Sequence, residues 1–292
     1  MKRNILNSPR LLELKKKRQR VLTYKILLSV FAFLLVFASL VYVSRIPSLN
    51  FGEVEIIGNK IVDEEMIKAD VQKELAGYYL WFFPKTNIFL YPKKDISKVL
   101  HNTFFRLKDV SFSLGRSVTS EALKNRKTLE VSVDERTAVY IWCDEEAGSP
   151  AITTNQKCYF MDEKGYIFDG APYFSGEVYF KFYGPADLGT YFEKENFEQL
   201  IDFRDILLSL GFKPISLSIG ENGDMKIFLS SFNKTSEQPY IAFNIDADFN
   251  KLAENLTTAL GTEPLLSDFK NKYSSLEYID LRFGNKVYYK FR

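Results

Sequence analysis

The sequence predicts an α+β protein carried on a single N-terminal transmembrane helix. Three observations predict it. Residues 26–43 (ILLSVFAFLLVFASLVYV) form an apolar run with no charge, no Pro and no Gly. Residues 51–134 then alternate in the order strand, helix, helix, strand, strand. Residues 135–292 read as a mixed β-rich domain of short strands interrupted by two helices.

The apolar run comes first. Its 18 residues span roughly 27 Å as a helix, close to the hydrocarbon thickness of a bilayer. A cleaved signal peptide would have a shorter apolar region and small residues at a cleavage site. Here the run ends in Leu40-Val41-Tyr42-Val43-Ser44-Arg45, so an uncleaved anchor is expected. Residues 1–25 form a basic tail with nine Lys/Arg and one acid, a net charge of +8. The remaining 267 residues hold 30 bases against 36 acids, a net charge of −6. Basic flanks stay cytoplasmic, which places the N-terminus inside and residues 44–292 outside. A basic tail also suits anionic lipid, but the acidic exterior argues against nucleic acid as a partner.

The exterior is aromatic, with 26 Phe and 17 Tyr in the chain, a composition that favours pleated, half-buried surfaces. After a linker at 44–50, Phe51 to Asn59 alternates apolar and polar and closes on Gly58-Asn59, as a strand does. Asp63 is placed to cap a helix opening Glu64-Glu65, with Met66, Ile67, Val71 and Leu75 on one face. Residues 78–92 (YYLWFFPKTNIFLYP) read as an aromatic loop. Lys94-Asp95 opens a second helix with Ile96, Val99 and Leu100 inward. Strands are expected at 107–114 and 128–133, joined by a polar hairpin.

Beyond residue 134 strands are expected at 137–143, 158–161, 166–168, 177–183, 215–219, 224–230, 240–245, 277–281 and 286–291. Asp162-Glu163-Lys164-Gly165 and Gly220-Glu221-Asn222-Gly223-Asp224 read as hairpin turns with Gly at positive φ. The two helices are 194–210, with Phe197, Leu200, Ile201, Leu207 and Leu208 on one side, and a second that Asp248 caps. The second carries Phe249, Leu252, Ala253, Leu256 and Leu260 at helical spacing and stops at Gly261 and Pro264. Cys143 and Cys158 flank a polar loop at the ends of two apolar stretches. A disulfide there would close a loop of about 15 residues and stabilise by roughly 3 kcal/mol. Two buried free thiols fit the same pattern.

Chemistry-bearing motifs are sparse. The one histidine, His101, falls on the second predicted helix. H-E-x-x-H, paired C-x-x-C, G-x-G-x-x-G, the P-loop and G-x-S-x-G are all missing from the sequence. The acids Asp63-Glu64-Glu65 suit helix capping, and Asp144-Glu145-Glu146 a solvated loop. No catalytic residue, metal ligand or cofactor is expected, although paired-carboxylate hydrolysis needs no sequence adjacency. Asn233-Lys-Thr and Asn255-Leu-Thr match the glycan acceptor tripeptide, a pattern common by chance.

The ordered set resembles the bacterial division proteins FtsQ and DivIB. Val54-Glu55-Ile56-Ile57-Gly58-Asn59 followed by Asp63-Glu64-Glu65-Met66-Ile67 is similar to the opening of a POTRA domain. Val131-Ser132-Val133-Asp134-Glu135-Arg136-Thr137-Ala138-Val139-Tyr140-Ile141-Trp142 resembles the family's V-x-E-R-x-P-x-A-x-W segment, with Thr137 where Pro is common. Tyr159-Phe160-Met161-Asp162-Glu163-Lys164-Gly165-Tyr166-Ile167-Phe168 resembles the hairpin that follows, and Ala171-Pro172 its sequel. Tyr278-Ile279-Asp280-Leu281-Arg282-Phe283 is similar to the closing V-D-L-R-Y strand. The resemblance implies a POTRA domain at 51–134, a β domain at 135–292 and a non-enzymatic scaffold in the cytoplasmic membrane at the division septum. It implies coiled-coil partners of the FtsB/DivIC and FtsL types outside the cytoplasm, and septal peptidoglycan synthase proteins beyond them. The family's binding surface is the last strand, which adds a strand from the partner. That carries over to Arg282, Phe283, Lys286, Val287, Tyr288, Tyr289, Lys290 and Phe291. A proline at Tyr288 is expected to remove a backbone donor from that edge, and, with the sequence ending just after the strand, no long tail is expected to assist. The competing reading is a POTRA-containing envelope chaperone or secretion component that receives unfolded strands.

Overall fold

The structure is a computed structural model that describes residues 9–116, 127–144, 157–172, 174, 177–220, 223–230 and 238–292. The first eight residues of the basic tail, the expected hairpin tip at 117–126, the loop at 145–156, Glu221-Asn222 of the second turn and the Asn233 tripeptide lie outside the described residues. The fold is α+β and divides into two units: Met1–Thr103 with Asp109–Asp134, and Phe104–Lys108 with Glu135–Arg292.

The first unit begins with α1 (Pro9–Ser44), 36 residues long. It starts well before the apolar run, with a proline at its first position, where the missing N–H costs nothing. Among the described residues it is the one helix long and apolar enough to cross a membrane. A helix end leaves carbonyls without partners. Here Asn50 Nδ2 donates to the Ser44 carbonyl at 2.9 Å and to Ile46 at 2.8 Å, and Asn87 Nδ2 donates to Ser44 at 3.0 Å. Both asparagines are buried, and Thr86 Oγ1 donates to Asn50 Oδ1 at 3.0 Å.

A short 3-10 turn then leads to β1 (Phe51–Ile57), α2 (Glu64–Leu75), β2 (Tyr78–Tyr79), β3 (Phe83–Pro84), α3 (Lys93–Thr103), β4 (Leu107–Arg116) and β5 (Lys127–Glu135). The three-stranded sheet has the order β1-β5-β4, and β1 runs parallel to β5. Asp63 caps α2 as expected, accepting from Glu65 N at 2.8 Å. Ile67, Val71, Leu75, Ile96 and Leu100 are buried with Val54, Ile56, Leu129 and Val131 of the strands. Met66 is instead exposed, because it precedes Ile67 by one position and so lies about 100° around the helix from it. The aromatic segment is not a plain loop: β2 and β3 pair as a small hairpin.

The second unit holds nine strands: β6 (Tyr140–Cys143), β7 (Cys158–Met161), β8 (Ile167–Ala171), β9 (Lys181–Tyr183), β10 (Pro214–Ile219), β11 (Asp224–Leu229), β12 (Tyr240–Asn244), β13 (Leu276–Phe283) and β14 (Lys286–Phe291). They form one mixed sheet in the order β14-β13-β12-β11-β10-β9-β6-β7-β8. Helix α4 (Phe197–Ser209) connects the parallel pair β9 and β10, and α5 (Phe249–Leu260) with α6 (Leu265–Lys272) connects the parallel pair β12 and β13. Parallel neighbours need such crossovers. Gly165 and Gly223 both have positive φ, at 81° and 75°, as their turns require. Helix α6 lies beyond the expected stop at Gly261 and Pro264. Along α4, Leu208 is exposed and Phe203 takes the buried position instead.

The high aromatic content is spent in this core. The fully buried ring of Phe182 meets Tyr140, Phe180, Phe192 and Phe197 at centroid distances of 5.5, 5.0, 5.1 and 5.4 Å. Cys143 and Cys158 lie directly opposite each other on β6 and β7 and form a disulfide. Past the other end of the β6–β7 pair, Arg136 pairs with the buried carboxylate of Asp162, stands 3.8 Å over the Tyr166 ring and donates to the Phe105 carbonyl at 3.2 Å. Asp162 Oδ1 also accepts from Lys164 N and Tyr166 N, both at 2.9 Å. Removing one partner of a buried ion pair strands the other charge, at a cost of about 3–5 kcal/mol. Arg136→Ala is therefore expected to lower stability by about that amount, as read by urea unfolding followed through Trp142 fluorescence.

Candidate functional site: the terminal sheet edge

Strand β14 is one edge of the nine-stranded sheet. Its burial alternates strictly: Lys286, Tyr288 and Lys290 exposed, Val287, Tyr289 and Phe291 half-buried. This is the period-two consequence of a pleated strand. Val287, Tyr289 and Phe291 pack on the core cluster that includes Leu252 and Leu256 of α5. Asn255 of the same helix donates to the Gly284 carbonyl at 3.1 Å and so holds the turn between β13 and β14.

The backbone alternates as well. Arg292 N donates to the Ser275 carbonyl at 2.8 Å, toward β13. Stepping back by twos along β14, the amides of Lys290 and Tyr288 face β13 too, matching their pairing with Tyr278 and Asp280. The N–H and C=O groups of Val287, Tyr289 and Phe291 consequently point away from the sheet. The two register irregularities, at Leu276/Tyr278 and Asp280/Phe283, each place the extra residue on β13. β14 itself is an unbroken ladder edge that can take one more strand. The sequence expectation about Tyr288 is corrected here: its amide belongs to the β13–β14 hairpin, whereas those of Val287 and Tyr289 face outward.

On the helix-free face, side chains form cross-strand rows. Phe228, Tyr240, Tyr278 and Lys290 align across β11 to β14, and the Tyr240 and Tyr278 rings stack at 5.8 Å. Lys290 Nζ meets Glu277 at 2.9 Å, and that hydrogen bond holds its ammonium above the usual lysine range. Phe283 and Tyr288, both largely exposed, meet edge to face at 5.1 Å. Arg282 is committed elsewhere. Its Nε and Nη2 grip Asp280 at 2.9 and 2.6 Å, and its Nη1 reaches Asp224 on β11 at 2.6 Å, bracing β13 across β12. Burial pushes the Asp280 carboxyl up, but side-chain and backbone hydrogen bonds from Arg282 outweigh it and leave the group below the usual aspartate range. The same contacts raise the guanidinium of Arg282.

The other sequence-flagged groups lie away from this edge. His101 ends α3, where Nδ1 sits 2.7 Å from the Ser97 carbonyl and must donate to it. Among the described residues no three His, Cys, Asp or Glu side chains converge as a metal site would require. Sequence reasoning identified the terminal strand but missed the outward amides. Their direction depends on the pairing register, which strand composition does not contain.

Two outcomes are expected. Tyr288→Pro removes a ladder donor, leaves the facing carbonyl unpaired and destabilises by about 1–3 kcal/mol, whereas Val287→Pro, whose amide faces outward, costs markedly less in the same urea titration. Asp280, depressed in the folded state, contributes stability above its unfolded pKa and loses it as pH falls below about 3.8. Arg282→Gln removes the guanidinium's hydrogen bonds and charge while keeping the backbone amide of residue 282, so carboxyl NMR should find Asp280 titrating higher than in the wild type.

Compared with models of known protein families the chain matches none, and no curated protein matches it.

Proposed function

We propose that this chain is a non-enzymatic, single-pass division scaffold of the FtsQ/DivIB type, with residues 51–134 as a POTRA module. The N-terminal tail lies in the cytoplasm and residues 44–292 lie outside it, at the septum. The scaffold binds coiled-coil proteins of the FtsB/DivIC and FtsL types by adding one of their strands to β14, and so links them to septal peptidoglycan synthesis.

The observation that carries this reading is the placement of β14: a regular strand at the sheet edge, its outward amides unbroken by bulge or proline. The exposed Phe283–Tyr288 pair beside it supplies an aromatic anchor of the kind that dominates binding energy. The charge asymmetry about α1 supports the orientation, and the Cys143–Cys158 disulfide suits an oxidising exterior.

Photo-crosslinking from Tyr288 in living cells, with the captured protein identified by mass spectrometry, tests the reading. Capture of a small single-span coiled-coil protein, lost in Val287→Pro, is the expected result. Capture of unfolded envelope clients would point instead to a chaperone or secretion role. No capture from a folded, normally expressed protein would remove residues 286–291 as the binding edge.

A further inference from the structure

The aromatic hairpin of the first unit has the wrong surface for water. Residues Tyr79 to Phe82 make a tight turn, closed by Phe82 N donating to the Tyr79 carbonyl at 3.1 Å. Its two central residues, Leu80 and Trp81, both have positive φ, at 48° and 70°. That geometry is the hairpin turn that selects Asn-Gly, because side chains with a Cβ are strained there. This chain puts its bulkiest apolar side chains in it and leaves them bare: Trp81 is 90% exposed and Leu80 78%. Tyr78 and Phe82 beside them are exposed too, as is Phe89 on the adjoining segment.

The position of the hairpin explains the surface. Phe37 of α1 meets the rings of Phe82 and Phe83 edge to face at 5.4 and 5.9 Å. Phe37 lies six residues inside the end of the apolar run at Val43, about 9 Å along the helix axis. The hairpin therefore runs back alongside the span rather than away from it. Its cations flank it: Arg45 stands 5.8 Å over the Tyr78 ring and its Nε reaches the Phe82 carbonyl at 3.3 Å, and Lys85 stands 5.9 Å over Tyr79. Cations at the rim and Trp, Tyr and Leu beyond them are the profile of an interfacial anchor.

We propose that the β2–β3 hairpin is inserted in the outer leaflet of the membrane, with Leu80 and Trp81 among lipid acyl chains and Arg45 and Lys85 at the headgroups. The hairpin and α1 together make a two-point attachment that fixes the rotation of the first unit about the membrane normal. The ladder pairing of Tyr78 with Pro84 and Tyr79 with Phe83, and the Arg45 contact, occupy backbone polar groups that lipid would leave unsatisfied.

This inference rests on α1 being a span, and the test separates the two. The chain has two tryptophans, Trp81 and Trp142, and Trp142 is buried in the second unit. The full chain is reconstituted in phosphatidylcholine vesicles whose acyl chains are brominated at carbons near the headgroup or deeper. Trp81 emission, taken as wild type minus Trp81→Phe, should be strongly quenched, most by the shallow bromines. A second reporter, Leu34→Trp in the Trp81→Phe background, should be quenched most by the deep ones. Quenching at position 34 with none at Trp81 overturns the inserted hairpin and leaves the span. Quenching at neither position overturns the span and the hairpin with it.

Discussion

The first unit hangs from one carbonyl. A helix emerging from a bilayer must find partners for its last C=O groups, and water is scarce where the chain leaves the hydrocarbon. Ser44 ends α1, and its carbonyl accepts from two buried amides, Asn50 just before β1 and Asn87 just after β3. These residues also bridge each other, and Phe51 N donates to the Thr86 carbonyl at 2.9 Å. The same few atoms thus terminate the long apolar helix, start the sheet and pin the aromatic hairpin. Losing one amide leaves the Ser44 carbonyl bonded to the other, whereas losing both would leave a buried acceptor unsatisfied and free both segments from the helix end.

The second unit obeys a different constraint, the continuity of one mixed sheet. Two of its parallel pairs, β9 with β10 and β12 with β13, are joined by helices that cross over and cover one face, while the third, β6 with β9, is joined through β7 and β8. The other face carries rows of aromatic and charged side chains, among them the Tyr240–Tyr278 stack and the Arg282 brace. The covered face explains why Val287, Tyr289 and Phe291 are held firmly by α5 although they belong to the outermost strand. An edge strand so anchored presents its free backbone in fixed register, which reduces the ordering cost of receiving another strand.

Much of this was readable from the chain because the signals were periodic. Asp63 and Asp248 announced their helices by cap chemistry, and both accept the expected amides. Each of the nine strands of the second unit overlaps a segment that composition marked as a strand, though β8 runs on to Ala171 and β13 to Phe283, past the expected ends. The misses lie where periodicity is silent. Residues 78–84 carry aromatic side chains without alternation, and their turn lacks the Gly or Asn that would have flagged it. Helix α6 follows a Gly and a Pro, which read as a stop yet here separate two helices. Phe203 is buried and Leu208 exposed because the stripe that α4 buries runs Phe197, Leu200, Phe203 and Leu207, an equally regular helical spacing centred on a different line of the helix. The direction of each edge amide was out of reach, since one residue of register reverses it.

That direction bears on why the edge is not a hazard. Exposed strands are usually guarded by bulges, proline or charge. The bulges here fall on β13 and no proline interrupts β14, so charge remains the only guard on the strand itself. Of its two lysines, Lys290 is bound to Glu277 on the neighbouring strand, which turns its ammonium back over the sheet. Lys286, by the turn, is the charge that a strand added to this edge would meet: it would repel a basic one and favour one with an acid opposite it. Such an edge discourages indiscriminate pairing through one charge while keeping its hydrogen-bonding groups open, and a partner able to match Lys286 and cover the Phe283–Tyr288 pair gains both terms at once.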